Sequence, residues 1–252
     1  MSSARKALQL GARLLKIAAV NPTRLRIVLG TALSATDAVI DPACDLSRLA
    51  QVTVNDLLPS AGPPLRVSLA LFPKTHASVS VLEFTCLALL LAKARAKNVF
   101  EFGTYKGVSV TQLALNLPEA SRILTLDLPD EHHSTQFKIS DPEDAEIAAE
   151  SGKGSLVPAD LKNRIDFLRQ DSATFDESPW ASRMDFVFVD GAHNSEYVRN
   201  DSEKGWRMLR SGGVIAWHDC RPQDPAVVRY LLTCGFQPKH ISGTTLAFAT
   251  KP

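Results

Sequence analysis

Asn98-Val-Phe-Glu-Phe-Gly-Thr-Tyr-Lys-Gly107 is the stretch on which the reading of this 252-residue chain turns. Val99 to Phe102 is an apolar run broken only by Glu101, the pattern of a buried strand. Gly103 ends it, Gly107 follows four residues later, and Val108 to Leu117 has the apolar spacing of a helix. A strand that turns through glycines into a helix lets a ligand approach the backbone, because no Cβ stands in the way. The same turn places unpaired helix N–H groups beside that ligand. Alone, the pattern also suits dinucleotides, phosphates and plain packing.

Further strand-like segments follow, each with an acid at or just past its end. They are Arg122-Ile-Leu-Thr-Leu-Asp127, Arg164-Ile-Asp-Phe-Leu-Arg-Gln-Asp171, Met184-Asp-Phe-Val-Phe-Val-Asp-Gly191 and Gly212-Gly-Val-Ile-Ala-Trp-His-Asp219. In a doubly wound sheet the acid ending the second strand receives the two ribose hydroxyls of a nucleoside ligand, and here that residue is Asp127. A strand-end acid also caps the next helix in many proteins. Capping alone does not explain acids in register at successive strand ends.

Together these motifs resemble the class I S-adenosylmethionine-dependent methyltransferases. The likeness is closest to the branch carrying Phe188-Val-Asp-Gly-Ala-His193 and Trp217-His-Asp219, and it runs from about Ser78 to Lys251. It implies an α/β fold: a doubly wound, mostly parallel, seven-stranded Rossmann-like sheet with a terminal antiparallel hairpin and an N-terminal helical extension. Phe236 to His240 and Thr244 to Ala249, around Ile241-Ser-Gly243, read as that hairpin. It also implies S-adenosylmethionine as cofactor. Asp127 would meet the ribose, and Asp171 and Ser172 the adenine edge. Gly103, Thr104, Tyr105 and Gly107 would surround the methionine portion, with Glu101 and Asp190 near its cationic end.

The expected reaction is O-methylation of a hydroxylated small molecule or glycan. Methyl transfer from a sulfonium is mainly a matter of alignment. A hydroxyl acceptor must also lose its proton to a base, or to a metal that lowers its pKa. Asp190, His193, His218 and Asp219 are the catalytic candidates, and Asp190, His218 and Asp219 the candidate divalent-metal set. Related metal-dependent enzymes carry an acid followed by Asn or Asp after the fifth strand, whereas His218 stands here in place of the acid. Magnesium prefers oxygen, while imidazole suits zinc or iron. A metal site therefore competes with a metal-free base, His193 or His218, oriented by Asp219 or Asp201.

The remaining sequence sets the surroundings. Lys plus Arg is 28 against 27 for Asp plus Glu, which gives no whole-chain footprint for nucleic acid. Cys44, Cys86, Cys220 and Cys234 lack metal-ligand spacing and read as reduced thiols of a cytoplasmic protein. No apolar run is long and clean enough to cross a membrane. Residues 1–76 read as an extension of two short basic amphipathic helices and a Pro-rich linker, a possible homodimer contact. Residues 77–252 form the cofactor-binding domain. Within it, Ser78 to Ala96 reads as a helix with Ser80 and Glu83 in capping-box position. Polar Leu128 to Val157 has no sustained period and is expected to be a lid or a flexible insertion, with His132-His133 a solvated pair.

Two other classes compete. A nicotinamide-dependent oxidoreductase would share the ribose acid, but the spacing here is Gly-x-x-x-Gly, and a terminal hairpin is not expected of it. A non-catalytic cofactor-binding module is expected to lose cofactor acids, and none is lost.

Overall fold

The computed structural model describes residues 44–72, 79–131 and 134–252. Backbone contacts divide the chain into Met1–Asp45 and Leu46–Pro252, and the second unit carries the sheet. The N-terminal helices expected before residue 44 and the His132-His133 pair lie outside the described residues.

The sheet comprises β1 (Ala50–Val52), β2 (Asn98–Phe102), β3 (Arg122–Asp127), β4 (Ile165–Arg169), β5 (Met184–Val189), β6 (Leu209–Trp217), β7 (Lys239–Ile241) and β8 (Ala247–Thr250). Their spatial order is β1-β7-β8-β6-β5-β2-β3-β4. Every pairing is parallel except those of β8, which runs antiparallel to both β6 and β7. The hairpin is therefore present, but among the described residues the sheet has eight strands rather than seven. The additional strand is β1, three residues pairing with β7 at the edge. Its residues are exposed or half-buried, so no apolar alternation announces it.

β2 and β5 read as apolar runs because both faces of the central sheet are covered. Phe100, Phe102, Phe186 and Phe188 have almost no exposed surface. Among the described residues the helices are α1 (Val81–Ala94), α2 (Val108–Leu115), α3 (Pro142–Ala149), α4 (Ser195–Met208) and α5 (Pro225–Leu231). α1 opens with a capping box. Ser80 Oγ accepts from the Glu83 N–H at 3.3 Å, and the Glu83 carboxylate accepts from the Ser80 N–H at 2.8 Å. Its Leu87, Leu90 and Leu91 join Val110 and Leu113 of α2 in one core with Val99 and Phe186. Each such buried side chain stabilises by about 1.5–3 kcal/mol, more than helix propensity offers.

The segment Leu128 to Val157 is not wholly irregular, since it contains α3. Asp141 caps this helix, its Oδ1 accepting from Glu143 N–H at 2.8 Å, with Pro142 in the first turn. Buried Lys153 takes the other end, donating to the carbonyls of Ala148 at 3.1 Å and Glu150 at 2.8 Å. The helix buries only Asp144 and Ala148, which is why its sequence shows no apolar stripe. Among the described residues, no helix is long and apolar enough to cross a membrane.

Candidate active site

The C-terminal ends of β2, β3, β5 and β6 open onto one cavity of about 750 Å³. Gly103, Thr104, Tyr105, Asp127, Asp171, Ser172 and Asp190 all line it. Gly103 has φ +92°, and a Cβ there would stand 2.6 Å from the Asp190 carbonyl carbon and nearer still to its oxygen. The glycine lets the end of β2 pass against the end of β5. Gly107, φ +87°, does not line the cavity. A Cβ on it would meet the Val157 side chain and come within 3.1 Å of Gly154 Cα. Packing of backbone against backbone, more than room for a ligand, accounts for both.

Asp127 shapes the turn that it faces. Its Oδ2 accepts from the N–H groups of Thr104 at 3.0 Å and Tyr105 at 2.7 Å, and its Oδ1 from Leu128 N–H at 2.7 Å. Burial raises its pKa, against the opposing pull of Lys153 and these three N–H groups. Tyr105 sits at φ +43°, held there in part by Gly154 N–H donating to its carbonyl at 2.6 Å. Asp171 is fixed by Tyr197 OH at 2.9 Å and by Gln136 N–H at 2.7 Å. The carbonyl of Ser172 accepts from Lys204 Nζ at 2.6 Å.

Glu101 departs from its expected place. It is wholly buried and does not line the cavity. Its Oε2 accepts from Thr125 Oγ1 at 2.5 Å, while Oε1 has no partner. Burial pushes its pKa up to about 8, so at neutral pH it is mostly the uncharged acid rather than a countercharge for a cation. A carboxyl enclosed in a sheet covered on both faces has no water with which to stabilise its anion.

On the opposite wall, carboxylates and imidazoles alternate. Asp144 of α3 binds His193 twice, through Nδ1 at 2.7 Å and through the backbone N–H at 2.7 Å. His193 Nε2 lies 2.9 Å from Asp219 Oδ2. His218 Nδ1 lies 2.8 Å from that same oxygen and 3.1 Å from Asp190 Oδ1. Asp219 occupies the left-handed region at φ +52°, and its Oδ1 faces Arg221 Nη2 at 3.1 Å.

Burial would lower the pKa of His193, but the bonds to Asp144 and Asp219 outweigh it and push it up to about 11. His218 is likewise driven well above its ordinary value, with burial opposed by Asp190, Asp219 and Glu83. Burial would raise Asp219, yet the two histidines hold it far below the usual carboxylate range. The surrounding carboxylates thus favour the imidazolium form of both rings, and an imidazolium has no lone pair with which to take a proton. That argues against a free histidine base. Asp201 does not orient His193 either: it is buried beside Asn200, whose Nδ2 donates to its Oδ1 at 2.8 Å.

Among the described residues, Asp190, His218 and Asp219 each offer a ligand atom, and the three atoms lie within 4.8 Å of one another. Two carboxylate oxygens and one imidazole nitrogen form a donor set that suits a divalent cation of mixed nitrogen and oxygen preference. A cation there would replace the proton on His218 Nδ1. The sequence reading missed Asp144, because α3 has no apolar period. The Asp141-Pro142 start of that helix was its available signal.

A family model described as "Methyltransferase domain" matches residues 100–220. The caffeoyl-CoA O-methyltransferase of Petroselinum crispum is 26% identical over 180 residues, covering 69% of this chain and 69% of its own. That of Zinnia elegans is 30% identical over 153 residues, covering 61% of this chain and 57% of its own. The chain thus spans between 50% and 69% of the length of the first such relatives. The S-adenosylhomocysteine-bound methyltransferase PaMTH1 of Podospora anserina shares the fold, with a TM-score of 0.50 at 15% identity over 72% of this chain and 83% of that one. With the parallel sheet, the terminal hairpin and the cavity at the strand ends, these similarities show that the chain shares its fold with the class I S-adenosylmethionine-dependent methyltransferases and resembles their methyltransferase domain over residues 100–220.

Proposed function

We propose that this protein transfers the methyl group of S-adenosylmethionine to a hydroxyl oxygen of a small-molecule or glycan acceptor, in the cytoplasm. We further propose that Asp190, His218 and Asp219 hold a divalent cation. The observation that carries this reading is the convergence of those three side chains on the cavity wall, with their ligand atoms within 4.8 Å of one another. The names of the relatives, caffeoyl-CoA O-methyltransferases, favour oxygen as the accepting atom. Asp190, His218 and Asp219 would hold the cation, which would lower the pKa of an acceptor hydroxyl bound there.

The chain's own residues supply the rest. Asp127 and the turn from Gly103 to Tyr105 hold the adenosine and methionine portions. Asp171 and Ser172 flank the adenine. His193, clamped by Asp144, fixes Asp219. α3 and its flanking loop keep water from the reacting atoms. Homodimer formation through residues 1–76 is read by light scattering on the full chain.

Isothermal titration with S-adenosylhomocysteine and with NAD separates the competing classes: binding is expected for the first and none for the second. A panel of hydroxylated acceptors, assayed by mass with and without chelator, then tests the chemistry. The expected result is methyl incorporation that a chelator abolishes and added divalent ion restores. Turnover indifferent to chelation would remove the cation from the reading, and NAD binding would remove the reading itself.

A further inference from the structure

Glu83 does more than cap α1. Its side chain is buried, and its two oxygens have separate tasks. Oε2 accepts from the Ser80 N–H at 2.8 Å and lies 3.6 Å from His218 Nε2. Oε1 accepts from both the N–H and the hydroxyl of Thr245, at 2.7 and 2.8 Å. The carbonyl of Thr245 in turn accepts from the N–H of Cys220 at 2.8 Å, the residue directly after Asp219. One carboxylate thus reaches both His218 and the backbone that holds Asp219 in its left-handed conformation.

His218 Nε2 is buried and has no hydrogen-bond partner. At 3.6 Å the Glu83 oxygen makes an ion-pair contact that is too long for a hydrogen bond. It is nonetheless the carboxylate that faces this nitrogen, and a shift of a few tenths of an ångström closes the bond. Ligand histidines commonly donate their second ring N–H to a carboxylate, which fixes ring and tautomer. We propose that Glu83 is the positioning residue of the site: its carboxylate orients the His218 ring through Nε2 and, through Thr245, fixes the turn that presents Asp219. This rests on the proposed cation reading only for its effect on metal affinity. The effect on the ring is independent of it.

The test compares the full-length protein with Glu83→Gln and Ser80→Ala. Ser80→Ala removes half of the cap and leaves Glu83 facing His218, so it reports the structural role alone. The first readout is the ring N–H signal of His218 in ¹⁵N-labelled, metal-free protein, assigned with His218→Asn. A slowly exchanging Nε2–H is expected in wild type and in Ser80→Ala, and its loss in Glu83→Gln. The second is Mn²⁺ affinity by titration, expected to fall about tenfold or more in Glu83→Gln and to be unchanged in Ser80→Ala. An unaltered His218 signal in Glu83→Gln, or its absence from wild type, overturns the proposal. If Glu83→Gln does not fold, Thr245→Val decides through the turn alone: unchanged Mn²⁺ affinity there overturns it. Should wild type bind no Mn²⁺, the cation reading falls, and the ring signal still decides the role of Glu83.

Discussion

His193 meets a carboxylate at each ring nitrogen, and the two come from different elements: Asp144 from α3, and Asp219 from the turn after β6. Asp144 accepts from the His193 backbone as well, so its loss strands two donors. Asp144→Ala is expected to cost about 1–3 kcal/mol of stability by chemical denaturation. The sign with pH follows from His193, whose folded pKa of about 11 lies above its ordinary 6.5. Its contribution is complete below about 6.5 and is lost as pH rises through about 11. The deficit of Asp144→Ala should therefore shrink across that window, and a deficit constant with pH would refute the ion pair. Asp127 makes the companion case on the side proposed for the cofactor. Asp127→Ala leaves the N–H groups of Thr104, Tyr105 and Leu128 without their acceptor. It should weaken S-adenosylhomocysteine binding by about 1–3 kcal/mol in calorimetry. Unchanged affinity would remove the ribose assignment.

At the scale of elements, the strand-to-helix turn is fixed by how closely neighbouring backbones approach. Gly103→Ala must push the end of β2 away from the Asp190 carbonyl, in a conformation that already disfavours a side chain. Gly235 also has positive φ, but a Cβ there would meet nothing within 4 Å. Gly235→Ala should cost only local strain, on the order of 1 kcal/mol. Gly103→Ala should cost clearly more and should lower cofactor affinity with it, because Asp190 moves. Equal melting temperatures for the two variants would contradict this. α3 gives a second test. It is tied to the site by Asp144 and to the glycine turn by Gly154 and Leu156, which donate to the carbonyls of Tyr105 and Lys106 at 2.6 and 2.9 Å. Cofactor and acceptor together should slow amide exchange over residues 142–157, and exchange rates unaffected by either would make the segment an ordinary insertion.

Across the whole molecule, Glu101 is a buried acid that global stability must register. Its folded pKa of about 8 exceeds the ordinary 4.5, so the folded state keeps a proton that the unfolded chain releases between those values. Stability therefore falls as pH rises from about 4.5 to about 8, and the penalty is full above that. Glu101→Gln removes the ionisation while keeping the shape and an acceptor for Thr125. Its stability relative to wild type should improve steadily over the same window and level off beyond it. A relative stability that does not change with pH would show that Glu101 is already charged in the fold.

How much of this was legible in the sequence depended on the distance over which each feature is set. The central strands, the glycine turn, the α1 capping box and the terminal hairpin are written in neighbouring residues, as apolar runs, positive-φ glycines and side chains three positions apart. Asp190, His218 and Asp219 could be singled out because each ends a strand, and strand ends gather on one edge of a parallel sheet. β1 and α3 were not legible, because a three-residue edge strand and a helix burying two side chains leave no period to detect. Nor could the sequence state the charge on a group. Glu101 lost its expected charge to enclosure, and His193 gained one from Asp144, 49 residues away along the chain. Local pattern fixes which elements form, but the protonation of a buried group depends on partners and exclusion of water that only the packed molecule provides.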